Sequence, residues 1–248
     1  MTISTLILAA GRGERMRPLT DACPKPLLKV RGKALIDWHV QALATGGFTD
    51  LVINTDWLGQ QFEPHFNQQI SLQPNKYGRG QLSISYSHEG ADFGGALETA
   101  GGIARALPRL GDVFWVLAGD VFAPGFEFTQ AAVERFTASG KLAHLWLVPN
   151  PAHNLKGDFG LQADGLALNL PAASQQLRYT FSTIALYRKA FFDTLHSSIP
   201  CGNPQGIKAP LAPMLRAAMD DSQVSAELYT GAWTDVGTPE RLAQLNLN

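Results

Sequence analysis

Residues 6–28 read Leu-Ile-Leu-Ala-Ala-Gly-Arg-Gly-Glu-Arg-Met-Arg-Pro-Leu-Thr-Asp-Ala-Cys-Pro-Lys-Pro-Leu-Leu. The apolar run Thr5–Ala9 predicts a buried parallel strand. Ala10, Gly11 and Gly13 follow at once. With almost no side chains, they let backbone N–H groups approach a phosphate closely. Arg12, Arg15, Arg17 and Lys25 then crowd four cations into the same segment, and Pro18, Pro24 and Pro26 stiffen its exit. A strand, a small-residue loop and clustered cations suit a nucleoside triphosphate. Gly11-x-Gly13 alone also fits a plain turn flanked by solvated arginines. The third glycine of the dinucleotide-binding fingerprint is absent, since Met16 stands there, and no Gly-Lys-Ser/Thr follows.

The chain of 248 residues can bury a sizeable core as one large α/β domain or two small ones. Its net charge of −1 implies no basic field for nucleic acid. No apolar run approaches the roughly 20 residues of a membrane span, and the chain enters its first strand with no signal peptide before it. Cys23 and Cys201 make neither a disulfide framework nor a zinc site. The six histidines lack metal-ligand spacing. A cytoplasmic location is expected.

Strand-like and helix-like runs alternate through the first 150 residues. Ala34–Gly46 is an amphipathic helix that stops at Gly46-Gly47, and Asp50–Asn54 is a short strand. Trp57–Phe66 is a second helix, Leu82–Ser87 a strand, Gly90–Gly95 a flexible loop and Leu97–Leu107 a third helix. Val113–Leu117 is a fully apolar strand within Gly111–Ala118, ending in Gly119-Asp120. Such alternation implies a mainly parallel sheet covered on both faces. Beyond residue 150, Phe159–Leu170 reads as a hairpin around Ala163-Asp164-Gly165. Leu177–Tyr187 is a long strand with Leu177, Tyr179, Phe181, Thr183, Ala185 and Tyr187 on one face. Short helices follow at Phe191–Leu195, Ala209–Asp220 and Pro239–Leu247. The economical division is one domain, 1–248, without linker or repeat.

Asp120 lies past the carboxyl end of a buried strand, where ligands bind in open α/β sheets, although a turn or helix cap would also use an aspartate there. Asp235 precedes the helix starting at Pro239, but Thr238 already supplies that cap, which frees Asp235 to be a ligand. Lys25, between two prolines, is either a rigidly presented charge or an exposed loop lysine. Glu98 and Thr99 suit a first helical turn through the helix dipole. No Ser/His/Asp or Cys/His constellation is evident.

The whole opening stretch resembles the signature of the sugar-phosphate nucleotidyltransferases, L-A-A-G-x-G-x-R-M/L-x-P-L-T followed by P-K-P-L/M. Every fixed position matches, from Leu8 to Thr20 and from Pro24 to Leu27. Trp233-Thr-Asp-Val-Gly-Thr-Pro-Glu matches a second pattern of that family, W-x-D-x-G-T/S. The resemblance implies a single Rossmann-like α/β domain, a mainly parallel mixed sheet flanked by helices. About residues 1–150 would bind nucleotide and about 151–248 the sugar phosphate.

It also implies Mg²⁺ held by Asp120 and Asp235. Lys25 would contact the phosphates of the reacting pair, and Arg15 the β- and γ-phosphates. Arg15, Lys25 and Asp120 are the implied catalytic set. Ala10, Gly11, Gly13, Glu14 (through its backbone), Glu98 and Gly102 complete the implied nucleotide site. The partners would be a nucleoside triphosphate and a sugar 1-phosphate whose oxygen attacks the α-phosphate in line, releasing pyrophosphate.

Leu97-Glu98-Thr99-Ala-Gly-Gly102 resembles a smaller group within the family, the N-acetylmuramate-1-phosphate uridylyltransferases. The likeness extends to Ile53-Asn54, Trp57–Gln61, Ser87–Gly90, Gly157–Phe159, Thr180–Ser182 and Trp233–Leu242. The chain ends at Asn248 without a long extension and contains no Glu-Lys-Pro. The group implies UTP and N-acetylmuramic acid 1-phosphate in peptidoglycan recycling, with Asp158 bonding the sugar. Two departures stand out. Ala118 replaces the asparagine that would meet the sugar phosphate, and Ala91–Ala96 reads as an insertion near the base pocket. Another pair, glucose or mannose 1-phosphate with UTP, dTTP or GTP, and a non-catalytic nucleotide-sugar sensor remain alternatives. Oligomeric state is not readable from the sequence.

Overall fold

The computed structural model describes residues 3–72, 82–193 and 199–247. A nine-stranded mixed sheet forms the frame. Its strands are β1 (Ser4–Leu8), β2 (Asp50–Thr55), β3 (Ser83–His88), β4 (Val113–Ala118), β5 (Ala143–Val148), β6 (Phe159–Leu161), β7 (Ala167–Leu168), β8 (Arg178–Arg188) and β9 (Val224–Leu228). The order β7-β6-β8-β4-β1-β2-β3 runs across the sheet, with β5 on the other edge of β8 from β4 and β9 beyond β5. β4, β1, β2 and β3 are parallel, as the early alternation predicts. β8 runs antiparallel to both β4 and β5, so the C-terminal half continues the same sheet.

Helices cover both faces. α1 (Leu35–Thr45), α2 (Phe62–Leu72) and, later in the chain, a helix at Gln130–Ser139 pack on one face, in a core with Ile7, Ile53, Trp115 and Leu186. The helices at Glu98–Ala106 and Leu211–Asp220 pack on the other, with Leu6, Val116 and Tyr187. Leu6 and Ile7 therefore point to opposite cores, which is why β1 reads as an unbroken apolar run. A third, smaller core joins Met16, Val30, Leu35, Phe122, Val236 and Leu242. It ties the opening loop to the C-terminal helix Pro239–Leu247.

Several sequence expectations need correction. Gly90–Gly95 is not an open loop: Glu89–Phe93 is a short helix that stops at left-handed Gly94. Tertiary partners order it, since Arg105 pairs with Asp92 at 2.6 Å and Asp56 accepts the backbone N–H of Ala96. The helix expected from Trp57 starts at Phe62, after a 3₁₀ turn at Gly59–Gln61. The helix expected at Phe191–Leu195 is a 3₁₀ turn at Lys189–Phe192, and Leu195 lies outside the described residues. The hairpin around Asp164 forms as read, while the long strand begins at Arg178 rather than Leu177 and is interrupted by a register shift between Phe181 and Ala185, where Thr183 is left-handed. No helix among the described residues is long and apolar enough to cross a membrane.

Candidate active site

The opening loop leaves the sheet at Leu8 and is held at once. The buried side chain of Asn54, near the end of β2, accepts the N–H of Ala9 at 2.6 Å. Gly13 then adopts φ +65°, a left-handed conformation that a side chain disfavours. A Cβ there would also meet Thr20 at 3.1 Å and Lys25 at 3.3 Å.

The four cations of the segment separate into different tasks. Arg12 lies 3.7 Å over the Trp57 ring and pairs with Asp21 at 3.0 Å. Arg17 pairs with the same Asp21, and these two arginines, Arg12 foremost, hold its carboxyl below the usual carboxylate range. Lys25 is buried at 8% exposure and reaches two carboxylates. Arg15 is exposed and has no ion-pair partner among the described residues. It lines a cavity of about 340 Å³ with Gly11, Gly13, Glu14, Lys25 and Asp120.

Those two carboxylates are Asp120 and Asp235, at 2.6 and 3.7 Å from Lys25 Nζ. A two-residue antiparallel ladder brings them together, pairing Val121 with Asp235 and Phe122 with Thr234. The N–H of Val236 adds a bond to the Asp120 carbonyl at 3.3 Å. Arg241 donates to Asp235 Oδ2 at 3.0 Å and to its carbonyl at 2.8 Å, while His153 lies 3.6 Å from Oδ2. The other oxygen, Oδ1, is the one toward Lys25. Thr238 caps the following helix, accepting the N–H of Arg241 at 3.4 Å. Behind Asp120, the Nε2–H of buried His39 donates to the Val121 carbonyl at 2.8 Å. Burial pushes the His39 pKa down to about 4, so the ring is neutral.

A second cavity, about 650 Å³, shares Leu8, Gly11 and Asp120 with the first and extends over the sheet. Its wall is mostly apolar: Val116, Phe159, Phe181, Ala185, Tyr187, Leu211 and Leu215. Ala10, Ala118, Asp158 and Glu98 line it too. Both oxygens of Asp158 already accept bonds, from Phe181 N at 2.8 Å and Asn154 Nδ2 at 3.2 Å.

Two nucleotide-site expectations change. Glu98 opens its helix at φ +59°, exposed at the cavity, rather than in an ordinary first turn. Gly102 is buried and does not line either cavity. It gives room to a polar pair, since a Cβ there would lie 2.5 Å from Glu89 Oε1 and 2.9 Å from Asn54 Nδ2.

That pair is a part of the site that sequence reasoning left unassigned. Asn54 donates to Glu89 Oε1 at 2.6 Å, and Glu89 Oε2 accepts the N–H of Leu97 at 2.8 Å. Burial raises the Glu89 pKa. The network ties the opening loop to the Leu97 turn beneath the second cavity. Arg216 and His153 were likewise unassigned, being single residues without a pattern around them, and Arg241 lies within the matched stretch Trp233–Leu242 but carries no role from it.

The model of the nucleotidyl transferase family matches residues 4–162. The chain belongs to that family. An N-acetylmuramate alpha-1-phosphate uridylyltransferase of Neisseria meningitidis serogroup B is 44% identical over 98% of this chain and 96% of its own length. One from Caulobacter vibrioides is 28% identical, over 95% and 92% respectively. A Bacillus anthracis crystal structure assigned as a glucose-1-phosphate thymidylyltransferase superposes with a TM-score of 0.75 at 21% identity, covering 99% of this chain and 94% of that one. That likeness concerns the fold.

Proposed function

We propose that this nucleotidyltransferase transfers a uridylyl group from UTP to N-acetylmuramic acid 1-phosphate, releasing pyrophosphate. The observation that carries the chemistry is Lys25 between Asp120 and Asp235, at the mouth of the Gly11–Arg15 loop. The choice of substrates rests on the Neisseria relative, which matches along nearly the whole chain. The product would serve peptidoglycan recycling in the cytoplasm.

The donor set fits Mg²⁺. Two carboxylate-bearing side chains meet at one buried ammonium, and no group of three or more His, Cys, Asp or Glu suited to a metal occurs among the described residues. Mg²⁺ characteristically takes one or two carboxylates and completes its shell with phosphate oxygens and water. Asp120 and Asp235 would hold it. When bound it neutralises the α-phosphate and the leaving pyrophosphate.

The remaining work falls to this chain's own groups. Backbone N–H groups at Gly11 and Gly13 receive the triphosphate, and Arg15 meets its outer phosphates. Lys25 moves from bridging the aspartates to neutralising charge at the α-phosphorus. An acceptor phosphate oxygen attacks that phosphorus as the bond to the β-bridging oxygen breaks. No protein nucleophile is required, so catalysis is positioning and charge neutralisation. On this reading residues 1–150 chiefly bind nucleotide, while Asp158 and Ala118 lie on the sugar-phosphate side. Asp158 acts by holding Phe181 as well as by facing the sugar.

The test measures pyrophosphate release from UTP with N-acetylmuramic acid, N-acetylglucosamine, glucose and mannose 1-phosphates. Preference for the first by tenfold or more in kcat/KM supports the reading. A comparable preference for a neutral sugar leaves only the family assignment, and no turnover with any of these acceptors, with dTTP and GTP tried as well as UTP, would favour a sensor.

A further inference from the structure

The larger cavity is lined by one cation among the described residues, Arg216 on the helix Leu211–Asp220. The side chain is half-buried, and no carboxylate pairs with it among those residues. It is nevertheless held in place. Nη1 donates to Asn169 Oδ1 at 2.9 Å and Nη2 to the Asp158 carbonyl at 3.4 Å. The guanidinium carbon lies 5.0 Å from the Phe159 ring centroid. Asn169 is itself oriented by Asp220, donating to its two oxygens at 3.1 and 3.0 Å. A guanidinium has five N–H donors, and only two are engaged among the described residues, both by neutral acceptors. A partly desolvated charge without a counter-ion is costly, and a carboxylate matches its planar fork best.

The anion that Arg216 awaits is not the reacting phosphate. That phosphate must lie beside Lys25, which lines only the smaller cavity, whereas Arg216 lines only the larger one. It shares the larger cavity with Asp158 and Phe159, on the side assigned to the sugar. N-acetylmuramic acid 1-phosphate carries a second anion, the carboxylate of its lactyl ether, which N-acetylglucosamine 1-phosphate lacks. We propose that Arg216 binds this carboxylate and so selects an acidic amino-sugar 1-phosphate over a neutral one. The proposal rests on the acceptor proposed above.

The experiment uses the full chain, UTP and three acceptors: N-acetylmuramic acid 1-phosphate, its carboxyl methyl ester, and N-acetylglucosamine 1-phosphate. In the wild type, kcat/KM for the acid should exceed that for the ester by about 30-fold, the usual scale for losing one partner of a desolvated charge pair. In Arg216→Met that ratio should fall by about tenfold or more, and Arg216→Lys should recover part of it. A wild-type ratio of acid to ester near one overturns the assignment without any variant. An equal loss on all three acceptors also overturns it, and gives Arg216 to the phosphate or to packing on Phe159. Failure of the underlying substrate reading looks different. The wild type would then favour the neutral sugar over the acid before any variant is made, and the assignment would fall with it.

Discussion

At the charged end of the cleft, Gly11, Gly13, Arg15 and Lys25 come from one short segment, joined by Asp120 and Asp235. At the apolar end, Val116, Phe159, Phe181, Leu211 and Arg216 come from four separate elements. Phosphate chemistry calls for several donors at close range, which a contiguous loop supplies with little ordering cost. Enclosing a sugar calls for surface area, which only an assembled sheet and helices provide. The two ends should therefore respond differently to substitution: the charged end in rate, the apolar end in choice of substrate.

The sharpest way to break this contrast is at the aspartates. Asp120→Asn and Asp235→Asn should each reduce turnover on the order of a hundred- to a thousandfold, about 3–4 kcal/mol of transition-state stabilisation. Thermal melting measured alongside should show a folded protein. Near-normal pyrophosphate release in either variant would remove that residue from the reacting centre.

A stability effect of similar size concerns His39 behind Asp120. Its folded pKa is lowered to about 4, chiefly by burial, from the ordinary 6.5. The unfolded chain therefore binds a proton first, and stability is lost as pH falls from 6.5 towards 4. The loss attributable to this ring is about 3 kcal/mol. Buried Glu89, with its raised pKa, works in the opposite direction as pH falls. Melting curves of wild type and His39→Phe across that range isolate the histidine, because Glu89 is common to both. Parallel curves would show that His39 does not stay neutral in the fold.

Lys25→Ala should lower kcat and raise KM for the triphosphate together, by roughly 10- to 100-fold in kcat/KM. Arg15→Ala should act mainly on KM, by about tenfold, because Arg15 is exposed and expected on the outer phosphates. If Lys25→Ala changes neither parameter, the charged end does not work as drawn.

Arg12 provides the smallest test and the finest distinction. Stacked on Trp57 and paired with Asp21, it supports the loop rather than facing the cavity. Arg12→Ala should lower the melting temperature by about 2–4 °C with little change in KM. Arg15→Ala should do the reverse. The same pattern in both variants would mean that the two arginines share one role.

The sheet was legible in sequence because its central strands are buried on both faces and read as apolar runs flanked by helices. Leu6–Ile7 and Val113–Leu117 could hardly be anything else. The segment Gly90–Gly95 reads as a loop, although Glu89–Phe93 is helical, because its order comes from Asp56 and Arg105, neither of which is local. Gly102 was placed among nucleotide contacts by its motif, whereas its bare Cα makes room for Glu89 and Asn54. Arg216 could not be read at all, since one arginine on an amphipathic helix is ordinary until its neighbours are known.

The residues from Leu8 to Lys25, together with Trp233–Glu240, pointed by themselves to a nucleotidyltransferase through their resemblance to the family's two signatures, while their short-range backbone and charge suited a phosphate without excluding a plain turn. Only the tertiary structure decided which of the four cations face the cleft. Asp21 and Trp57 take Arg12, the two aspartates take Lys25, and Arg15 stays free of ion pairs among the described residues. Sequence places like charges side by side; which of them finds a counter-charge depends on chain segments far away, and that is settled by packing.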